Sequence, residues 1–166
     1  MSSVDGRKSA RSLLLRVAPR LFLRLCSATR TELGRAGEEL AARSLARDGW
    51  RILGRRVGGI GAEVDLWAVR ADEVAVVEVK TARLRRRRTG IREEAWDLRW
   101  RPGHSLGRRQ LGRSWTAARR LAARSGRRPR VLLVEVLVDR ASGAAQVLAA
   151  RELPPAPRAP VDSRAP

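Results

Sequence analysis

The chain has 166 residues, enough for one domain with a single core and hardly enough for two. Apolar residues make up 43% of it, so a core can be buried, and a formal charge of +19 favours polyanionic partners: nucleic acid first, an anionic membrane surface second. One cysteine (Cys26) and one histidine (His104) exclude a disulfide scaffold and a Cys/His zinc cluster and suit a reducing cytoplasm.

Residues 1–30 are unlike the rest. The run Ser12 to Leu25 has the makings of a basic amphipathic helix interrupted by Pro19, with Leu14, Val17, Ala18, Leu21 and Leu25 on one face and Arg16, Arg20 and Arg24 on another. Three readings stay open for it: a membrane-contacting or transit-like segment centred on residues 10–26, a mobile extension, or an upstream start codon. Residues 32–48 read as a helix, with Leu33, Gly37, Leu40, Ala41 and Leu45 on one apolar arc, Glu38 at its edge and Gly49 as its stop. Strands are expected over Trp50–Val57, about 62–69 and about 73–80, the first two separated by a turn at Gly58, Gly59 and Gly61. A loop spans Ala82–Gly107. A helix over 107–124, a strand over 130–138 and a short strand near 144–149 follow, before a Pro-rich, disordered tail from Pro154. The expected division is an extension over 1–30, a domain over 31–153 and the tail over 154–166. This order of elements belongs to an α+β or α/β fold with a mixed sheet.

The two middle strands carry the chemistry. Alternation puts Glu63 and Asp65 on one face of the first, and Glu78 and Lys80 on the face of the second that also holds Val74 and Val76. A tight turn at Ala71-Asp72 sets Asp65 opposite Glu78 and Glu63 opposite Lys80. The strand Val74–Val79 is apolar on both faces, as in strands covered on both sides, and ionisable groups at the end of such a strand are costly unless paired or metal-bound. Two carboxylates about 5 Å apart repel each other unless a divalent cation or a proton intervenes. With so little Cys and His, such a metal must sit on oxygen, which points to Mg²⁺ or Mn²⁺. Only two lysines occur, Lys8 and Lys80, beside 34 arginines. A lysine kept in so arginine-rich a chain suggests a demand for a compact ammonium whose pKa can fall on burial.

Gly34-Arg35-x-Gly37-Glu38, Glu63-Val64-Asp65-Leu66 and Val77-Glu78-Val79-Lys80-Thr81, in that order, resemble the YraN-like family of small bacterial proteins. That family belongs to the PD-(D/E)XK, restriction-endonuclease-like superfamily and is similar in its core to archaeal Holliday-junction resolvases. The resemblance covers about residues 32–150. It implies an α/β restriction-endonuclease-like core, with a mixed central sheet flanked by helices. It also implies roles: Asp65 and Glu78 as metal carboxylates, Lys80 as the catalytic lysine, and Glu38 reaching the same cation directly or through water. The Val79 carbonyl is a further ligand, Glu63 a supporting acid, and Gln110 a helix glutamine brought near the site. The chain departs from the family at Ala62, which replaces a glycine, at Arg83, which follows Thr81 one residue late, and over Ala95–Ser105, which is rewritten; these changes touch substrate loops rather than the metal site.

Arg83 and Arg85, Arg86, Arg87 and Arg88, just after Lys80, are expected to grip phosphates beside the site. Trp50, Trp67 and Trp115 are expected in the core; for Trp96 and Trp100, packing and stacking on unpaired bases both stay open. The leading expectation is a Mg²⁺-dependent, structure-directed endonuclease acting on DNA ahead of RNA. The rivals are a nucleic-acid-binding protein that keeps the fold without cleaving, and a membrane- or partner-tethered protein led by the N-terminal segment. Junction-cutting relatives act as dimers, so the resemblance also raises a homodimer.

Overall fold

A computed structural model of the chain describes residues 3–58, 63–88, 94–96 and 101–155, with backbone alone for 3–9, 87–88 and 94–95. The elements are α1 (Ser3–Val17), α2 (Pro19–Leu25), α3 (Arg30–Arg47), β1 (Arg51–Val57), β2 (Val64–Arg70), β3 (Glu73–Leu84), β4 (Arg86–Arg88), β5 (Glu94–Trp96), a 3₁₀ turn (Pro102–Ser105), α4 (Arg108–Ser125), β6 (Arg128–Asp139), β7 (Ala145–Val147) and β8 (Arg151–Glu152). Gly59, Gly61, Ala62, Trp100 and the tail from residue 156 lie outside the described residues.

The main sheet has the order β1-β2-β3-β6-β7, with β8 also on β6; β3 and β6 run parallel and the other pairs antiparallel. This is the expected mixed sheet. Parallel pairing requires a long crossover, and the stretch between β3 and β6, containing α4, provides it. The hairpin of β2 and β3 has the register read from the sequence, Leu66 opposite Val77 and Arg70 opposite Glu73, with Ala71 in the left-handed region at the turn (φ 48°). β3 runs four residues further than expected because β6 pairs with it as far as Leu84 opposite Asp139. The stretch expected as loop therefore holds the end of β3, a two-stranded ribbon of β4 and β5, and the 3₁₀ turn.

Each face of β3 meets a helix. Ala75 and Val77 pack with Ala36, Leu40, Ala41 and Leu45 of α3; Val74 and Val76 pack with Trp115, Ala118 and Leu121 of α4. Trp50 and Trp115 are buried and Trp67 is half-buried against the α4 side, as expected of core tryptophans.

Residues 10–26 pack against the domain rather than standing off it. Phe22, Leu23 and Leu15 are buried in the α3-side core. Arg43 of α3 donates to the Arg16 and Val17 carbonyls, satisfying orphan acceptors at the end of α1. α3 itself starts on a capping box, Thr29 with Glu32. The Arg11 guanidinium, 2.6 Å from Glu32, then the Thr29 N–H, hold that carboxyl at a pKa of about 2.

Candidate active site

The end of the β2–β3 hairpin meets the first turns of α4. Asp65 is half-buried, and its Oδ2 accepts from the Val79 N–H at 2.7 Å, beyond the last regular ladder pair. Glu78 is only 2% exposed. Its Oε1 accepts from Ser114 Oγ and its Oε2 from Gln110 Nε2, both at 2.6 Å. Lys80 Nζ donates to Gln110 Oε1 at 3.3 Å. Gln110 thus links the lysine to the carboxylate. A cavity of about 620 Å³ is lined by Glu63, Asp65, Glu78, Gln110, Arg113 and Ser114.

The electrostatics follow from this placement. Burial pushes the Asp65 carboxyl up to about 6; the Val79 N–H opposes the shift, the charges of Glu78 and Glu38 add to it, and Lys80 opposes it. Glu38 is taken by Arg56, at 2.7 and 3.0 Å. Arg56 has φ 49°, a left-handed backbone that is uncommon outside glycine. Among the described residues, no group of three or more His, Cys, Asp or Glu side chains is arranged to hold a metal ion.

The structure therefore brings Asp65, Glu78, Lys80 and Gln110 together, with Glu63 on the cavity rim. Glu38 is near enough to raise Asp65 yet engaged elsewhere. Arg83 is separated from Lys80: it lies three residues on, and lines a different cavity with Arg24, Asp139 and Arg140. Arg85 is exposed, while Arg86 stands 4.7 Å over the Trp96 ring, and the Trp96 indole N–H donates to Gln146. The side chains of Arg87 and Arg88 lie outside the described residues.

Three features escaped the sequence reading. Ser114 and Arg113 are one turn beyond Gln110, and the i, i+4 relation of Gln110 and Ser114 was the available signal. Glu135 is buried on β6 in register with Lys80, where it accepts from Arg101 at 2.5 Å and from the Gly103 N–H at 2.8 Å. It interrupts an apolar strand as Glu78 does. Gly103 is packed so closely that a Cβ would fall 2.6 Å from Leu133 Cδ2.

A mixed sheet flanked by α3 and α4, with acids and a lysine at the end of its central hairpin, is a restriction-endonuclease-like α/β core. Residues 37–136 match the uncharacterised protein family UPF0102, the YraN-like family that the motifs resemble, and the chain belongs to it. Similar relatives are all described as UPF0102 proteins. That of Rhizorhabdus wittichii is 54% identical over 48 residues, 29% of this chain and 41% of the relative. That of Granulibacter bethesdensis is 38% identical over 85 residues, 51% of this chain and 45% of the relative. That of Syntrophomonas wolfei is 45% identical over 64 residues, 39% of this chain and 54% of the relative. The chain spans about half the length of these curated relatives. No described helix is long and apolar enough to cross a membrane.

Proposed function

We propose that this chain is a metal-dependent nuclease that hydrolyses phosphodiesters in nucleic acid, DNA ahead of RNA, directed by strand structure rather than base sequence. The observation that carries the reading is Asp65 and Glu78 on one cavity, with Lys80 tied to Glu78 through Gln110. The donors are oxygens, and Asp65 bears an electrostatic cost that a hard divalent cation would lower. Asp65 and Glu78, with the Val79 carbonyl beside them, would hold Mg²⁺ or Mn²⁺. Such an ion, when bound, supplies charge stabilisation at the phosphoryl oxygens and a hydroxide near neutral pH.

The chain's own residues do the rest. Gln110 keeps the Lys80 ammonium one amide away from Glu78, so the ammonium is not spent in a direct ion pair and keeps N–H groups for a phosphate oxygen or the attacking water. Ser114 fixes the Glu78 rotamer through a hydrogen bond that also satisfies a buried carboxylate oxygen. Arg113 offers a guanidinium on the cavity wall. Glu38 would join the ion with lone pairs that its two bonds from Arg56 leave over, or after Arg56 shifts.

A second reading has its own observation. Both Glu78 oxygens already accept from α4 and Glu38 is held by Arg56, an arrangement that also suits a protein binding nucleic acid without cutting it. Incubating the purified chain with linear, single-stranded and branched DNA and RNA, with Mg²⁺, Mn²⁺ or EDTA, separates the two. Metal-dependent cleavage that Asp65→Asn abolishes supports the nuclease. Binding with no cleavage under any metal selects the second reading.

A further inference from the structure

Among the described residues, four of the five large apolar side chains that stand exposed fall between positions 13 and 25: Leu13 (60%), Val17 (64%), Leu21 (47%) and Leu25 (69%). They repeat one pattern in two helices. Leu13-x-x-Arg16-Val17 in α1 and Leu21-x-x-Arg24-Leu25 in α2 each put an apolar pair at i, i+4 on one side, with an exposed arginine next to it. The fold does not use these side chains, because the opposite side of the same helices, Leu15, Pro19, Phe22 and Leu23, already closes the core. Beside Leu21 lies a cavity of about 520 Å³ lined by Arg20, Arg43 and Arg47 together with Leu40, Ala18 and Pro19, and no acid lines it. All of these exposed residues precede residue 37, where the match to the family begins.

We infer that the outer face of α1 and α2 docks on an anionic lipid bilayer. Charge selects this occupant. A second copy related by a two-fold axis would set this face, with its exposed Arg16, Arg20 and Arg24, against the same basic face. Nucleic acid would engage the arginines and leave the four apolar side chains in water. A bilayer with anionic headgroups satisfies both sets: arginines at the phosphates, leucines and valine at the acyl boundary, with the helices lying in the interfacial plane.

The test uses the full chain and vesicles of phosphatidylcholine, with or without phosphatidylglycerol. Binding is expected on the anionic vesicles alone, and to weaken with salt. Leu13→Ser/Val17→Ser/Leu21→Ser/Leu25→Ser should lower vesicle affinity at least about tenfold while circular dichroism and nucleic-acid binding hold. Leu21→Ser/Leu25→Ser alone should give a smaller loss, and covers the case in which the fourfold variant does not fold. Arg16→Gln/Arg24→Gln should flatten the salt dependence. The inference is overturned by absent or equal binding to the two vesicle types, by undiminished binding of the serine variants, or by a solution dimer that those variants dissociate.

Discussion

The two faces of β3 at the same height solve opposite problems. On the α3 side, Gly37 lies so close to Thr81 that a Cβ there would sit 1.8 Å from Thr81 Oγ1, and the interface is sealed as tightly as glycine permits. On the α4 side, one residue away, Lys80 and Glu78 are hydrogen-bonded to Gln110 and Ser114 beside a cavity that Glu78, Gln110 and Ser114 line. The apolar face holds the strand in place; the polar face uses that rigidity to keep costly groups at fixed positions.

The largest effect expected belongs to the polar face. Asp65→Asn or Glu78→Gln should remove Mg²⁺-dependent cleavage with nucleic-acid binding nearly intact, and Lys80→Arg should cost about 10²–10⁴-fold in single-turnover rate, because a guanidinium is broader than the compact ammonium that Gln110 positions. An arginine variant within about threefold of wild type would reduce Lys80 to a positive charge. Circular dichroism checks that each variant is folded.

On the sealed face, Gly37→Ala should destabilise by about 1–3 kcal/mol in urea unfolding, through overpacking. Thr81→Ala in the same chain should recover part of that loss, since it removes the clashing oxygen. Additive losses would mean that the two residues do not share the contact.

Asp65 tests whether the polar face is maintained at a cost. Its folded pKa of about 6 lies above the ordinary 3.8, so the folded state holds its proton more tightly than the unfolded one. The associated stability is full below about pH 3.8 and is lost as pH rises through about 6. Without divalent metal, Asp65→Asn should therefore raise stability at neutral pH by about 1–3 kcal/mol, and the gain should vanish towards acid. A destabilised Asn variant would contradict the assignment of strain to the carboxylate.

The smallest effect lies beyond both faces. Replacing Arg85–Arg88 by alanine should flatten the slope of log K against log salt by at most about 0.9 for each phosphate that the run neutralises. Titration of labelled DNA at several salt concentrations reads it. An unchanged slope makes this run a bystander.

The hairpin register was legible because the short link between the strands admits a tight turn at Ala71-Asp72, which fixes the pairing, and Glu78 stood out as a charge in a strand apolar on both faces. Ending β3 near Lys80 concealed two consequences. Alternation carried on to Arg83 puts it on the opposite face from Lys80, and the parallel pairing brings Glu135 beside the lysine. The engagement of Glu38 by Arg56 depends on a left-handed backbone at a non-glycine residue, which no composition signals. The N-terminal helices read as an extension because residues 1–30 are unlike the rest of the chain, and of the face read as apolar Val17, Leu21 and Leu25 are exposed, while Leu15, Phe22 and Leu23 are buried. Periodicity cannot say which stripe the core takes.

The rims of the sheet limit how copies of this chain can meet. β1 carries an exposed Arg51, has Arg55 and Arg56 tied to Glu39 and Glu38 of α3, and is kinked by a register shift between Ile52 and Gly54. At the other side, β7 has three residues and β8 two. Charged, bulged and very short border strands are poor templates for strand addition. Among the described residues, the main sheet thus offers a second copy no long regular border strand to extend, which disfavours end-to-end sheet growth at either border.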